Sequence, residues 1–252
     1  RADYDRGAAE EVAEAVPDGV AVYPVVGEAG TDPDAAALYP GWDYGGVDDL
    51  EWVRERYDLD GAVGEFGAAS LPEGADPDAD EFDPAGFDRA KHDAVVGDDD
   101  PAASQAYQAE LVRGIAERLR TGGLADDDGS AGAPVVVANA LRDAGDAGMG
   151  VYARDGTAKE AAESLATAFE PVQAFLVGAS AGECDVVVAN DAPEAISGTV
   201  AWTAGEASGE VEATVDAGVR TVVDTVSVPA DASSVELAVR VGDAGVENVY
   251  RL

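Results

Sequence analysis

The sequence predicts an α/β fold followed by an all-β fold, and two observations support this order. From residue 7 to residue 169, stretches with helical spacing alternate with short apolar runs, which is typical of a parallel α/β architecture. After Pro171 only short alternating stretches remain, separated by Gly, Asp, Pro and Ser turns, and this spacing indicates an antiparallel β-sandwich. We therefore predict two domains, residues 1–175 and residues 176–252, the second about the size of a small immunoglobulin-like domain.

Helices and strands alternate through the α/β part. The predicted helices are 7–16, 47–57, 102–121 and 157–169, and the predicted strands are 20–26, 60–65 and 134–138. The third helix has the clearest amphipathic pattern, with Leu111, Ile115 and Leu119 on one face. Three strand–helix units cannot close a barrel of eight, so the pattern predicts that further strands come from sequence upstream of this chain.

Two segments rich in Gly, Asp and Pro are predicted to be long loops. One carries Tyr39, Trp42 and Tyr44, and the other covers residues 72–101.

The charge balance restricts the partners of the chain. Asp and Glu total 52 against 15 Lys and Arg, which gives a formal net charge of −37. Phosphate binding needs clustered Lys and Arg, so this composition argues against nucleic acid and anionic membranes as partners. No apolar run reaches the roughly 20 residues that a membrane-spanning helix needs. Because the acidic residues interleave with apolar ones along the whole chain, we favour a halophilic protein over the alternative of an acidic interaction tail.

Single cysteine and histidine residues limit the chemistry of the chain. Cys184 is the only cysteine, so no disulfide can form within the chain. His92, the only histidine, is predicted to be a surface helix residue, and a metal site with several His ligands is excluded. The Asp-rich stretches lack the spaced Asp, Gly and Glu residues of a calcium loop. We expect neither a metal nor a cofactor.

Four segments, taken in chain order, carry a family resemblance. The first is AVGEFGAAS, residues 62–70, in which a Glu is followed by an aromatic residue and a Gly. The second is the helical segment 104–120, and the third is GVYARDGTAKEAAESLATAFEPVQ, residues 150–173. The fourth is the sandwich, with VVVANDAPEAISGTVAW near its start and ENVYRL at its end. Together they resemble the C-terminal part of family-two glycoside hydrolases, most closely the β-mannosidase branch.

The resemblance implies both a fold and a chemistry. The fold is the C-terminal portion of a TIM (β/α)8 barrel followed by an immunoglobulin-like β-sandwich. The chemistry is hydrolysis of β-glycosidic bonds with retention of configuration, in which Glu65 is the nucleophile and Tyr39 is its hydrogen-bond donor. Trp42 is implied to stack on a sugar ring. Asn139 stands where the family usually carries the Trp that forms the floor of the sugar site, and it is implied to bind substrate.

The residue types around Glu65 give a separate reason to consider it. A carboxylate at the C-terminal end of a barrel strand lies where barrel enzymes place their catalytic groups. Gly64 and Gly67 on either side leave space for a ligand. The alternative reading is a solvated carboxylate at a strand end, one of many in so acidic a chain.

Two departures from the family pattern leave other functions open. The sugar-site Trp is absent, and so is the acid/base Glu that the family places after an Asn on an earlier strand. The chain starts at Arg1 without Met or a signal peptide, so we expect a fragment whose partner is the N-terminal part of the same protein, and we favour a cytoplasmic over a secreted location. The alternatives are a non-catalytic glycan-binding or structural descendant, and an unrelated hydrolase with an accidental Glu-Phe-Gly match.

The charge of the chain predicts a stability that depends on salt. At low ionic strength the Debye length is about 30 Å, so the carboxylates of a chain with net charge −37 repel one another and destabilise the folded state. We expect the midpoint of thermal unfolding to climb with KCl well into the molar range. A midpoint that stays level or falls as KCl is added would contradict the halophilic interpretation.

Overall fold

The computed structural model of the chain describes residues 5–57, 62–74, 87–97, 100–122, 135–144 and 148–252. Two compact units make up the chain: the first consists of Arg1–Ile115 and Ala133–Ser164, and the second of Ala116–Gly132 and Leu165–Leu252. The first unit contains helices and a parallel sheet, whereas the second is built mainly from antiparallel strands. The predicted combination of α/β and antiparallel β structure is therefore confirmed.

Four of the five α-helices in the described residues lie near predicted positions. The five are α1 (Arg6–Ala13), α2 (Leu50–Arg56), α3 (Arg89–Val95), α4 (Pro101–Thr121) and α5 (Glu160–Ala168). The apolar face predicted for α4 is confirmed, because Leu111, Ile115 and Leu119 are all buried. The predicted loop over 72–101 contains α3, while residues 75–86 and 98–99 lie outside the described residues. None of the helices in this part of the chain is both long and apolar enough to cross a membrane.

The first unit is organised around a four-stranded parallel sheet. Its strands are β1 (Val26–Glu28), β2 (Ala35–Leu38), β3 (Ala62–Phe66) and β4 (Val136–Ala138), in the order β1-β2-β3-β4. Leu38, Val63 and Phe66 are fully buried, as expected for a parallel sheet covered on both faces. Within the described residues this sheet is open at both edges and forms no barrel.

The N-terminal half of this sheet differs from the sequence prediction. A strand is predicted over residues 20–26, but the observed strand starts only at Val26, and Val20 is 58% exposed. Pro24 explains the difference, since a proline has no N–H to donate to a sheet. In contrast, β2 forms in the segment predicted to be a loop. Its sequence, AAAL, has low β-propensity. Gly64 on the neighbouring strand leaves room for Ala35, because a Cβ on Gly64 would lie 3.1 Å from the Cβ of Ala35.

Seven antiparallel strands form most of the second unit. They are β5 (Val172–Val177), β6 (Gly182–Asn190), β7 (Ile196–Ala204), β8 (Ala207–Val215), β9 (Val219–Val228), β10 (Ser234–Val241) and β11 (Ala244–Arg251). One sheet has the order β11-β10-β7-β8 and the other the order β5-β6-β9. The predicted domain boundary at residues 175 and 176 falls inside β5 and stays a prediction.

The two sheets of the second unit share one apolar core, to which alternate residues of most strands contribute. Val186 and Val188 of β6 and Val235 and Leu237 of β10 are among its buried members. At the end of β6, the side-chain amide of Asn190 donates to the carbonyl oxygens of Glu194, Val215 and Asp216, at 2.9, 3.0 and 3.1 Å. These contacts give a structural reason for the Asn in the VVVAND segment, because the amide closes the turn that follows β6.

The C-terminal end of α4 belongs to the second unit and is held there by buried polar groups. The carboxylate of Glu117 accepts hydrogen bonds from the Asn248 amide at 2.9 Å and the Tyr250 hydroxyl at 3.1 Å. The guanidinium of Arg120 pairs with Asp191 at 2.7 Å. Burial lowers the pKa of Arg120 below its ordinary value, and the negative charge of Asp191 partly offsets this effect. The Asn and Tyr of the ENVYRL segment therefore bind a buried carboxylate.

Candidate active site

The carboxyl ends of β2, β3 and β4 bring three polar side chains together. Tyr39 directly follows β2, Glu65 is the penultimate residue of β3, and Asn139 directly follows β4. Because the three strands are neighbours and parallel, their carboxyl ends lie along one edge of the sheet. Ligands of open α/β sheets bind at this edge.

One carboxylate oxygen is the centre of the group. The hydroxyl of Tyr39 donates a short hydrogen bond to Oε1 of Glu65. The side-chain amide of Asn139 donates to the same Oε1 at 3.0 Å and to the hydroxyl oxygen of Tyr39 at 3.1 Å. All three side chains are partly buried and partly open to solvent. The contact between Tyr39 and Glu65 predicted from the family resemblance is present in the structure, and Asn139 takes part in it.

Both donors to Glu65 are neutral groups. The pKa of Tyr39 is raised above its ordinary value, first by burial and then by its hydrogen bond to Glu65, so the phenol keeps its proton at neutral pH. The amide of Asn139 does not titrate. In the described part of the chain, Glu65 makes no ion pair, and no three His, Cys, Asp or Glu side chains are placed to hold a metal ion. The carboxylate is thus oriented by hydrogen bonds alone.

Gly67 allows the loops after β3 and β4 to approach each other. A Cβ at this position would lie 2.2 Å from the carbonyl oxygen of Asn139. This distance is a steric clash, so any residue other than glycine would force the backbone to move. The backbone N–H of Asn139 donates to the carbonyl oxygen of Phe66 at 2.8 Å. The Glu-Phe-Gly segment therefore combines a site carboxylate, a buried core residue and a glycine required by close backbone contact.

Trp42 does not have the exposed ring that sugar stacking needs. Its side chain is 1% exposed and packs edge-on against Phe87, with ring centroids 5.3 Å apart. An aromatic ring stacks on a sugar through an open face, and here packing covers the indole. The structure therefore corrects the stacking role predicted for Trp42 and gives this residue a place in the core of the first unit.

His92 is also placed differently from its prediction. The imidazole is 0% exposed, its Nε2 lies 2.9 Å from the hydroxyl of Ser104, and its ring lies 5.1 Å from that of Phe87. The Ser104 hydroxyl in turn accepts from the backbone N–H of Leu71 at 2.9 Å. His92 is thus the buried residue of the short helix α3, whereas its polar surroundings in the sequence predict a surface position.

A buried polar network that the sequence pattern does not predict joins α4 to the segments after β3 and β4. The amide nitrogen of Gln108 donates to the carbonyl oxygens of Ala68 at 2.8 Å and Gly148 at 2.9 Å. The ammonium of Lys159 pairs with Asp143 at 2.8 Å. Burial lowers the pKa of Lys159, and its hydrogen bond and charge interaction with Asp143 partly offset that change.

One sequence signal could have revealed this network. Gln108 lies three residues before Leu111, so it falls on the apolar face of α4. A polar residue on such a face needs buried partners, because an unsatisfied amide in the core is costly. The pairing of Lys159 with Asp143, in contrast, cannot be predicted from hydrophobic periodicity.

Comparisons with known proteins identify the fold. No family model matches the chain, and no curated protein matches it. Among solved structures it resembles a β-D-mannosidase from Dictyoglomus thermophilum, with a TM-score of 0.65 and 13% identity over 88% of this chain and 31% of that one. It also resembles an exo-chitosanase from Amycolatopsis orientalis, with a TM-score of 0.48 and 21% identity over 60% of this chain and 19% of that one. The chain spans about a third of the β-D-mannosidase, and it shares the fold of that part.

The raised pKa of Tyr39 predicts how stability changes at alkaline pH. Above the ordinary tyrosine pKa of about 10, the unfolded chain loses this phenolic proton while the folded chain keeps it. The folded state then binds more protons, so stability falls as pH rises, by up to about 1.4 kcal/mol per pH unit and by less where solvent screens the group. Urea unfolding at a series of pH values above 9 should show a shallower fall for Tyr39→Phe than for wild type. Tyr23→Phe is the control, because Tyr23 is exposed, and its stability should fall as steeply as that of wild type. An equally steep fall for Tyr39→Phe and wild type would contradict the raised pKa of Tyr39.

Proposed function

We propose that the chain is part of a retaining glycoside hydrolase of the β-mannosidase-like type in family two, with Glu65 as the nucleophile. The observation that carries this proposal is the convergence of Tyr39 and Asn139 on the carboxylate of Glu65 at the carboxyl edge of a parallel sheet. The β-D-mannosidase whose fold this chain shares supports the choice of substrate class, a carbohydrate with a β-glycosidic bond.

The proposed chemistry assigns one task to each side chain. A carboxylate oxygen of Glu65 attacks the anomeric carbon, the bond from that carbon to the leaving oxygen breaks, and a second carboxylic acid protonates the leaving oxygen. Water then hydrolyses the glycosyl ester and releases the sugar with its configuration retained. Because both donors engage Oε1, attack through Oε2 preserves the hydrogen bonds of Tyr39 and Asn139 while the ester forms.

The proposal needs residues beyond this chain. The acid/base carboxyl of a retaining enzyme lies about 5–5.5 Å from the nucleophile, and we propose that the N-terminal part of the same protein supplies it. That part would also complete the sheet as a TIM (β/α)8 barrel. Exposed apolar residues on both edge strands support this, since Val26 on β1 and Val137 on β4 are 43% and 45% exposed. In this proposal residues 1–175 end the barrel, residues 176–252 form an immunoglobulin-like domain, and the protein is halophilic and cytoplasmic rather than secreted.

A non-catalytic glycan-binding or structural descendant of the same family is the second candidate. One observation favours it: within the described residues, the hydrogen-bonded group at the sheet edge contains a single carboxylate, that of Glu65. Such a group can accept hydrogen bonds from sugar hydroxyls but lacks the proton donor that hydrolysis needs. This donor contributes roughly 10²–10⁴-fold to the rate, so the chain by itself should be inactive under either proposal.

Substitution of Glu65 tests the proposed role in a protein that carries this chain together with its N-terminal part. Glu65→Gln keeps the shape and removes the nucleophile, and it should abolish hydrolysis of an activated aryl β-mannoside, a loss that reaches about 10⁶-fold for nucleophiles of other enzymes. Glu65→Ala should regain part of the activity in sodium azide, with a glycosyl azide as the product, because azide fits the vacated space.

Glu28→Gln is the matched control, since Glu28 is an exposed carboxylate at the carboxyl end of β1. This variant should hydrolyse the aryl glycoside at the wild-type rate. Full activity in Glu65→Gln would refute the nucleophile assignment. Sugar binding by a wild-type protein that hydrolyses no glycoside would favour the non-catalytic candidate.

A further inference from the structure

The ammonium group of Lys159 is buried and has an acceptor for each of its three N–H bonds. Lys159 directly precedes α5, and its side chain is 2% exposed. The Nζ atom donates to Oδ1 of Asp143 at 2.8 Å, to the carbonyl oxygen of Gly148 at 3.0 Å and to the hydroxyl of Ser70 at 3.2 Å. An ammonium has three donors and no acceptor, so these contacts satisfy it completely.

The three acceptors belong to three different backbone segments. Ser70 follows β3, and Asp143 follows β4. Gly148 lies in residues 148–159, here called the return segment, which lead to α5. The segments are also joined to one another, because Ser70 and Gly148 exchange two backbone hydrogen bonds of 3.1 Å each. Oδ1 of Asp143 accepts from the backbone N–H of Gly150 at 2.7 Å. Lys159 is the side chain at which all three segments meet.

The return segment continues this connection to the candidate active site. The backbone N–H of Ala140 donates to the carbonyl oxygen of Met149 at 3.1 Å, and the N–H of Val151 donates to the carbonyl oxygen of Ala140 at 3.0 Å. Ala140 is the residue after Asn139, whose carbonyl oxygen is pressed against Gly67 on the opposite side. The backbone of Asn139 is therefore held between β3 and the segment that Lys159 anchors.

We propose that Lys159 is a positioning residue for the candidate active site, which holds the amide of Asn139 in hydrogen-bond reach of Glu65. The kinetic part of this inference rests on the proposed function, whereas the placement of Asn139 does not. Net stability alone is a poor explanation for Lys159, because apolar pairs of similar volume often stabilise a fold as well as a buried ion pair does. An apolar side chain, however, cannot join three backbone segments through hydrogen bonds.

Nuclear magnetic resonance of the full 252-residue chain tests the placement of Asn139 directly. With ¹⁵N-labelled asparagine, the chain gives side-chain amide signals from Asn139, Asn190 and Asn248. Lys159→Met should shift the Asn139 amide signals and leave the other two in place, since Asn190 and Asn248 lie in the second unit. The matched control is Lys91→Met, which removes the other lysine of the chain and should move none of the three. Unchanged Asn139 signals in Lys159→Met would overturn the inference.

A double variant separates positioning from folding. Lys159→Met leaves the buried carboxylate of Asp143 without its cation, so it is compared with Lys159→Met/Asp143→Asn, which removes both charges, keeps Oδ1 as the acceptor of the Gly150 N–H and should recover thermal stability. If Lys159 positions Asn139, the double variant should still show shifted Asn139 signals. Recovery of the wild-type Asn139 signals together with stability would mean that Lys159 only balances the charge of Asp143, and the inference would fail.

Kinetics extends the test in the protein that includes the N-terminal part. The double variant should lose about 10²-fold in kcat, the cost of a misplacement of about 1 Å, with little change in KM. Wild-type kcat in the double variant would overturn the positioning role while leaving the assignment of Glu65 intact. If the wild-type protein hydrolyses no glycoside, the proposed function fails, and the asparagine signals still decide the role of Lys159.

Discussion

Parallel pairing of β2, β3 and β4 forces the ends of three short strands to one edge of a sheet, and the candidate active site follows from that constraint. Tyr39 and Asn139 are 100 residues apart in sequence, yet both reach the same carboxylate oxygen of Glu65. Small residues make the arrangement possible. Gly64 leaves room for the side chains of Ala35 and Val26, and Gly67 admits the carbonyl oxygen of Asn139. A bulkier residue at either place would separate the groups that orient the carboxylate.

Buried polar groups then fix the loops that follow these strands. Removing an ammonium from water is costly, and the lowered pKa of Lys159 reflects that cost. Asp143, Gly148 and Ser70 compensate by accepting one hydrogen bond each. Loss of one partner from such a pair typically costs about 3–5 kcal/mol, because it leaves a buried charge without compensation. One of the two lysines of the chain is therefore buried, where it holds the loops in place, and does not contribute to the charge of the surface.

The sequence predicted what depends on local patterns and missed what depends on long-range packing. Periodicity was enough for α4 and for the strands of the sandwich, because each presents a regular apolar face. It was not enough for β2, whose AAAL sequence becomes a strand only through burial between β1 and β3. The buried position of Trp42 is not predictable for the same reason, since its contact with Phe87 cannot be read from either segment. Family resemblance supplied Glu65 and Tyr39, but only the structure shows that Asn139 shares their hydrogen bonds.

Trapping of the glycosyl ester tests most directly whether Glu65 is the nucleophile. A 2-deoxy-2-fluoro-β-mannosyl fluoride should react with the protein that carries this chain and its N-terminal part. Its fluorine at C2 destabilises the oxocarbenium-like transition states, so the ester accumulates. Mass spectrometry of proteolytic peptides should then find one added fluorosugar on the peptide that contains AVGEFGAAS, with the modification at Glu65. A catalytically active protein that carries the sugar on another carboxylate, or that never forms the ester, would contradict the account.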